Sequence, residues 1–134
     1  MSTDTSLPTQ MHVLAVDDDA FMLEFLTDLL GELGFENIST AGDGLQAIEV
    51  YDRAEQKPDL VVSDLHMPGL DGFQLVALLA ERRYKGGMIL LSGQEDRVLN
   101  SAMLLAQFHQ LQMLAALPKP VDLQALQRAI ARLR

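Results

Sequence analysis

Short apolar runs alternate along the chain with longer stretches whose apolar positions recur every three or four residues. Val13-Leu14-Ala15-Val16, Leu60-Val61-Val62, Met88-Ile89-Leu90-Leu91 and Met113-Leu114-Ala115-Ala116-Leu117 are apolar at successive positions. A strand with one face in water alternates polar and apolar residues, so these runs predict strands covered on both faces. A weaker run, Asn37 to Thr40, predicts an edge strand. Between the runs, Phe21, Met22, Phe25, Leu26, Leu29, Leu30 and Leu33 recur at helical spacing, and Gly34 follows as a C-terminal cap. Further helices are expected over Leu45–Arg53, Gly72–Arg83 and Arg97–His109. A last one carries Leu123, Leu126, Ile130 and Leu133 on one stripe, with Asp122 as its N-cap.

Strands that each precede a helix imply a parallel sheet with helices on both faces, a doubly wound α/β domain. The 134 residues suit one such domain. Residues 1–10 are polar, rich in Ser and Thr, and lack the apolar run of a signal peptide, so they read as a flexible tail ahead of a domain over 11–134. No apolar stretch is long enough to span a membrane.

Charge narrows the partners. Ten Lys and Arg against 19 Asp and Glu give a net charge of −9, the wrong sign for gripping nucleic acid and the right one for a cation or a basic partner surface. Cysteine is absent, which removes disulfides, thiolate chemistry and Cys-ligated zinc, and fits a cytoplasmic setting.

The informative residues stand just after the strands. In a parallel sheet these positions share one edge, where ligands bind at the point where strand order reverses. The first strand runs into Asp17-Asp18-Asp19, the third into Ser63-Asp64, the fourth into Ser92-Gly93 and the fifth into Pro118-Lys119-Pro120. Each has an ordinary reading alone: Asp19 as a helix N-cap, a serine as a turn residue, a lysine between prolines as a solvated loop residue. Their convergence on one edge is what chance does not readily supply. Clustered carboxylates repel, a cost that proteins tolerate chiefly at functional sites. The set suits phosphoryl transfer to a carboxylate. Asp18 and Asp64 would hold Mg²⁺ (or Mn²⁺), Asp17 would act through water, Asp64 would attack phosphorus, and Lys119 and Ser92 would meet the transferred oxygens.

These residues resemble the response-regulator receiver domains of two-component signalling over essentially all of 11–134, and chemotaxis response regulators in particular. The matching segments are Val16-Asp17-Asp18, Ala41-Gly42-Asp43-Gly44 with Ala47, Asp64 through Gly72, Leu91-Ser92-Gly93 and Lys119-Pro120. The resemblance implies a flavodoxin-like receiver fold with strand order 2-1-3-4-5, an order for which this family is a standard example. It further implies Asp64 as the phosphorylation site and Mg²⁺ held by Asp18, Asp64 and the His66 backbone carbonyl. Asp17 assists, Ser92 is the switch hydroxyl, and a cis peptide precedes Pro120. His66 and Gln94, each two residues past a site residue, would modulate the lifetime of the phosphoryl group. Partners would be a sensor histidine kinase or phosphotransfer protein. Output would pass to a domain beyond Arg134 or to a separate effector. Such a domain catalyses its own phosphorylation and slow dephosphorylation.

Two positions depart from the family pattern. Ala116 stands where an aromatic switch residue is usual, and Val121 where Phe follows Lys-Pro. The long segment 97–117 bears a weaker resemblance to receivers that precede EAL-type cyclic-di-GMP phosphodiesterase domains. Met103, Leu104, Leu105, Leu111 and Met113 are expected in the core, and His12 and His109 as surface or satisfied polar residues. Asp17 and Asp19 also have the Asp-x-Asp spacing of haloacid-dehalogenase-like phosphatases, the competing reading, although Phe21 stands where those enzymes carry Thr or Val. An FMN carrier is excluded, since three aspartates would repel the phosphate.

Overall fold

The computed structural model describes residues 8–93 and 97–134. Five parallel strands, β1 (His12–Val16), β2 (Asn37–Ala41), β3 (Leu60–Asp64), β4 (Gly87–Ser92) and β5 (Gln112–Pro118), form one sheet in the order β2-β1-β3-β4-β5. The helices are α1 (Ala20–Glu32), α2 (Gly44–Arg53), α3 (Gly72–Glu81), α4 (Arg97–Phe108) and α5 (Leu123–Ile130). The doubly wound α/β fold read from the sequence is therefore the one observed. Of the expected tail, residues 1–7 lie outside the described residues. Pro8–Gln10 form a 3₁₀ turn, and Pro8 lies against Gly34, so the loose-tail reading does not extend to them.

Strand alternation sorts the core into two layers. Leu14, Val16, Val61, Met88 and Leu90 pack beneath α2, α3 and α4, whereas Val13, Ala15, Leu60, Val62, Ile89 and Leu91 pack beneath α1 and α5. Every residue of β1, β3 and β4 is buried, as their unbroken apolar runs predicted. The β4–β5 register skips one residue: Met88 faces Met113 while Ile89 faces Ala115. Leu114 is the extra residue of this bulge, and both it and Ala115 serve the α1/α5 layer.

Each helix start has a local cause. Asp19, Asp43, Asp71 and Asp122 cap α1, α2, α3 and α5 by accepting backbone N–H groups that the first turn leaves unpaired. Asp71 and Gln74 form a full capping box. At the end of α1, Phe35 N–H reaches Leu30 O and Gly34 N–H reaches Gly31 O, a Schellman closure that places Gly34 at φ +102°. Gly72 is needed for a different reason. A Cβ there would stand 2.9 Å from Leu65 Cα, in the loop that returns from β3 to α3.

Two expectations fail for a common reason. Phe21 is 76% exposed and Phe25 lies at the surface, because at 100° per residue they sit about 140° and 100° from Leu26, outside the arc the sheet covers. Leu104 is 67% exposed, two residues from both Ala102 and Ala106 and so on the opposite side of α4. Those two alanines, fully buried, are how α4 meets the core; Leu105, Leu111 and Met113 pack around them, partly buried. His12 is a satisfied buried residue, its ring nitrogens 2.7 Å from Gln56 O and from Ser39 Oγ, while His109 is exposed.

Candidate functional site

Register brings the site together. Val16 pairs with Ser63 across β1 and β3, so the next residues, Asp17 and Asp64, leave adjacent strand ends side by side. Asp17 N–H continues the ladder to Ala41 O, and Leu65 N–H continues it to Leu91 O. Ser92 pairs with Pro118, and Lys119 N–H donates to Ser92 O at 2.9 Å, which fixes the start of the lysine beside the end of β4. The Lys119–Pro120 peptide is cis, as the resemblance implied.

Asp17, Asp18 and Asp64 each offer a carboxylate oxygen within 4.8 Å of the others. Asp17 and Asp64 are 2% and 5% exposed, and Asp18 faces solvent. Lys119 Nζ stands 3.3 Å from Asp17 Oδ2 and 3.2 Å from Asp64 Oδ2, bridging the two buried acids. Burial raises the Asp17 carboxyl above its ordinary range; the Asp19 N–H and the Lys119 ammonium pull it back only in part, and the Asp64 charge adds to the rise. Burial acts to lower the Lys119 ammonium, but the Asp64 and Asp17 carboxylates outweigh it and hold the group above its ordinary value. One ammonium thus faces three carboxylates. The remaining negative charge, on hard oxygen donors, fits a divalent cation such as Mg²⁺.

The other expected residues fall at differing distances from this centre. His66 N–H donates to Asp64 Oδ1 at 3.3 Å, while its side chain is exposed. Ser92 is buried at the same edge, but its hydroxyl is directed to Gly93 O at 3.4 Å, a long contact rather than a firm bond. Gln94 lies outside the described residues. Asp19 caps α1, accepting Phe21 N–H at 2.9 Å and Met22 N–H at 3.4 Å, and its own N–H holds Asp17 Oδ1 at 2.9 Å. It orients Asp17 rather than joining the cluster, which removes the geometric basis for an Asp17/Asp19 phosphatase pair. Ala116 is half-buried on β5, with no ring to move, and Val121 is buried. The sequence reading placed Ser63 at the strand end without giving it a role; its buried hydroxyl donates to Asp64 O at 2.9 Å. Its small polar side chain inside an apolar strand was the available signal.

A cluster of three aspartates at the C-terminal edge of a 2-1-3-4-5 sheet, with a lysine at the end of β5, is the arrangement of a phosphoryl-accepting signalling domain. The chain belongs to the response regulator receiver domain family, whose model matches residues 13–131. It is a receiver domain of a two-component response regulator, a signalling phosphoacceptor rather than an enzyme that turns over an external substrate. The probable chemotaxis protein CheY of Rhizobium etli is 33% identical over 127 residues, covering 93% of each chain. Among solved structures, the receiver domain of an HD domain-containing protein from Pseudomonas fluorescens Pf-5 matches at 29% identity and TM-score 0.78, over 91% of this chain and 92% of that one. The CheX–CheY–BeF₃–Mg²⁺ complex of Borrelia burgdorferi matches at 27% identity and TM-score 0.76, over 90% and 87%. Among the described residues, no helix is long and apolar enough to cross a membrane.

Proposed function

We propose that Asp64 accepts a phosphoryl group from a phosphohistidine on a sensor histidine kinase or phosphotransfer protein. The observation that carries this reading is the Asp17–Asp18–Asp64 cluster with Lys119 bridging its two buried members. An Asp64 carboxylate oxygen attacks phosphorus while the P–N bond breaks and its electron pair returns to the imidazole, leaving an acyl phosphate on Asp64. Lys119, already paired with Asp64, stays within reach of the charge that builds on the transferred oxygens. Ser92, buried at the same edge and held among the described residues by a long contact, supplies a hydroxyl to those oxygens on rotation. Asp18 and Asp64 with the His66 carbonyl would hold Mg²⁺ (or Mn²⁺), and Asp17 would act through water. When bound, the cation screens the carboxylates and neutralises phosphoryl oxygens. That the related Borrelia complex contains Mg²⁺ and BeF₃, a phosphoryl mimic, supports this assignment.

The domain catalyses its own phosphorylation, because donor and acceptor meet in a site that it alone supplies. Slow loss of the phosphoryl group follows when water attacks the same phosphorus. By resemblance to similar domains, His66 and Gln94 hold the two sequence positions that modulate its rate. Output passes to a domain beyond Arg134 or to a separate effector, in a cytoplasmic setting where kinases present phosphohistidine. The test is direct. With acetyl phosphate and Mg²⁺, intact-mass spectrometry should show one phosphoryl adduct on the wild type and none on Asp64→Asn, whose amide is not a nucleophile. A full adduct on the variant would refute the assignment.

A further inference from the structure

At the opposite edge of the sheet, where the strands begin, a cavity of about 520 Å³ opens between the α2–β3 and α3–β4 connections. That is the size of pockets that take small organic ligands. Lys57, Arg82, Arg83, Lys85 and Arg134 line it, half of the chain's ten Lys and Arg, against a single acid, Asp59. In a protein of net charge −9 this is a marked local reversal. Two of these cations have structural employment. Lys57 Nζ donates to Tyr51 O at 2.7 Å and Asp52 O at 3.2 Å at the end of α2, and Arg82 pairs with both Asp52 carboxylate oxygens. Arg83 and Lys85 have no side-chain partner among the described residues.

Arg83 also sits where arginine is disfavoured. Tyr84 N–H bonds Leu79 O and Arg83 N–H bonds Ala80 O, the closure seen at the end of α1, so Arg83 occupies the left-handed position that Gly34 holds there, at φ +56°. Backbone strain of this kind, carried by a residue whose charge has no partner among the described residues, points to use of that charge. The turn presenting it is fixed. Tyr84 is buried between Arg83 and Lys85, its hydroxyl donates to Gly87 O at 2.7 Å, and Gly87 N–H donates to Asp59 O at 2.9 Å. The rest of the lining includes Met11, Pro58, Leu133 and Tyr51, an apolar and aromatic floor.

We infer that this cavity binds a phosphate-bearing small molecule of nucleotide size, with its ring on the apolar floor and its phosphate between Arg83 and Lys85. The site is separate from the acidic edge and needs no divalent cation. The test follows backbone amide shifts by NMR in EDTA while ATP, adenosine or inorganic phosphate is added. ATP should give saturable shifts in 57–60 and 82–86 and none around Asp17 and Asp64, with adenosine and phosphate at least about tenfold weaker, the loss expected when a charge-assisted contact or the ring burial is removed. Arg83→Gly should weaken ATP about tenfold while leaving the thermal midpoint unchanged or higher, because glycine relieves the left-handed strain. Lys85→Ala should weaken ATP to a similar degree. The inference is overturned by an absence of saturable shifts in 82–86, by phosphate binding as tightly as ATP, or by variants that bind as the wild type does.

Discussion

The two halves of the acidic edge differ in how far they are assembled. At the ends of β1 and β3, Asp17 and Asp64 are buried, set side by side by strand register, and joined through Lys119 at 3.3 and 3.2 Å. At the ends of β4 and β5, the backbones of Ser92 and Lys119 are tied, yet among the described residues the Ser92 hydroxyl has only a 3.4 Å contact to its neighbour's carbonyl. Beyond it, Ala116 lines a cavity of about 540 Å³ between α4 and α5, bordered by Met103, Leu117 and Arg128. The first half is organised for chemistry before any phosphoryl group arrives. The second is loosely held and lacks the ring that similar domains use to carry the switch outward. A switch needs two packings a few kcal/mol apart, and loose contacts supply them more readily than tight ones.

The largest effect should come from removing the cation that holds the first half together. Lys119→Ala should slow acyl-phosphate formation by about 10²–10³-fold, the usual loss when a donor to developing charge is deleted. A rate close to wild type, followed by intact mass over time, would mean that the pre-assembled ion pair does not serve transfer.

Next comes the metal. Three carboxylates against one ammonium should make Mg²⁺ stabilising, by about 2.7 kcal/mol at a hundredfold excess over its dissociation constant. Thermal melts should rise accordingly, and Asp18→Ala should abolish most of the rise. A variant that responds as the wild type does would remove Asp18 from the ligand set.

The buried acid itself gives a smaller effect with a definite sign. Burial raises the folded-state value of Asp17 above the ordinary 3.8. The folded protein therefore binds this proton more tightly than the unfolded chain, and Asp17 favours folding most below pH 3.8 and progressively less as pH rises through its raised value. In metal-free protein at neutral pH, Asp17→Asn should therefore be more stable than the wild type, because the buried charge that burial disfavours is gone. That gain should fade on acidification. Denaturant melts in EDTA across pH would show it, and a gain independent of pH would assign the effect to packing instead.

The second half should answer phosphorylation more quietly. With no ring at Ala116, the response must appear as altered order in α4 and β5, seen as changed hydrogen exchange with a phosphoryl mimic and Mg²⁺. Helix α1 should change little. Changes limited to residues touching the phosphoryl group would mean that this output face is silent.

How far the chain could be read in advance follows the same division. The acidic half was legible because its residues follow unbroken apolar runs, and the position of a strand end survives small errors in boundaries. Register was not legible, yet it is what sets Val16 opposite Ser63 and thus Asp17 beside Asp64. Helix faces were read least well. Phe21 joined the buried stripe on apolarity alone, and α4 was expected to bury Leu104, whereas it meets the core through Ala102 and Ala106. Small residues let a helix approach a sheet closely, and hydropathy patterns under-weight them. The bulge at Leu114 and the left-handed Arg83 were equally hidden, since both are choices of backbone geometry.

The measurement that bears most directly on the account is the position of the phosphoryl group. Borohydride reduces an aspartyl phosphate to homoserine, leaving a mass tag that peptide sequencing by mass spectrometry can place. After treatment with acetyl phosphate and Mg²⁺, the account predicts homoserine at 64 and unmodified aspartate at 17, 18 and 19. Homoserine at 17, with Asp64 intact, would contradict it.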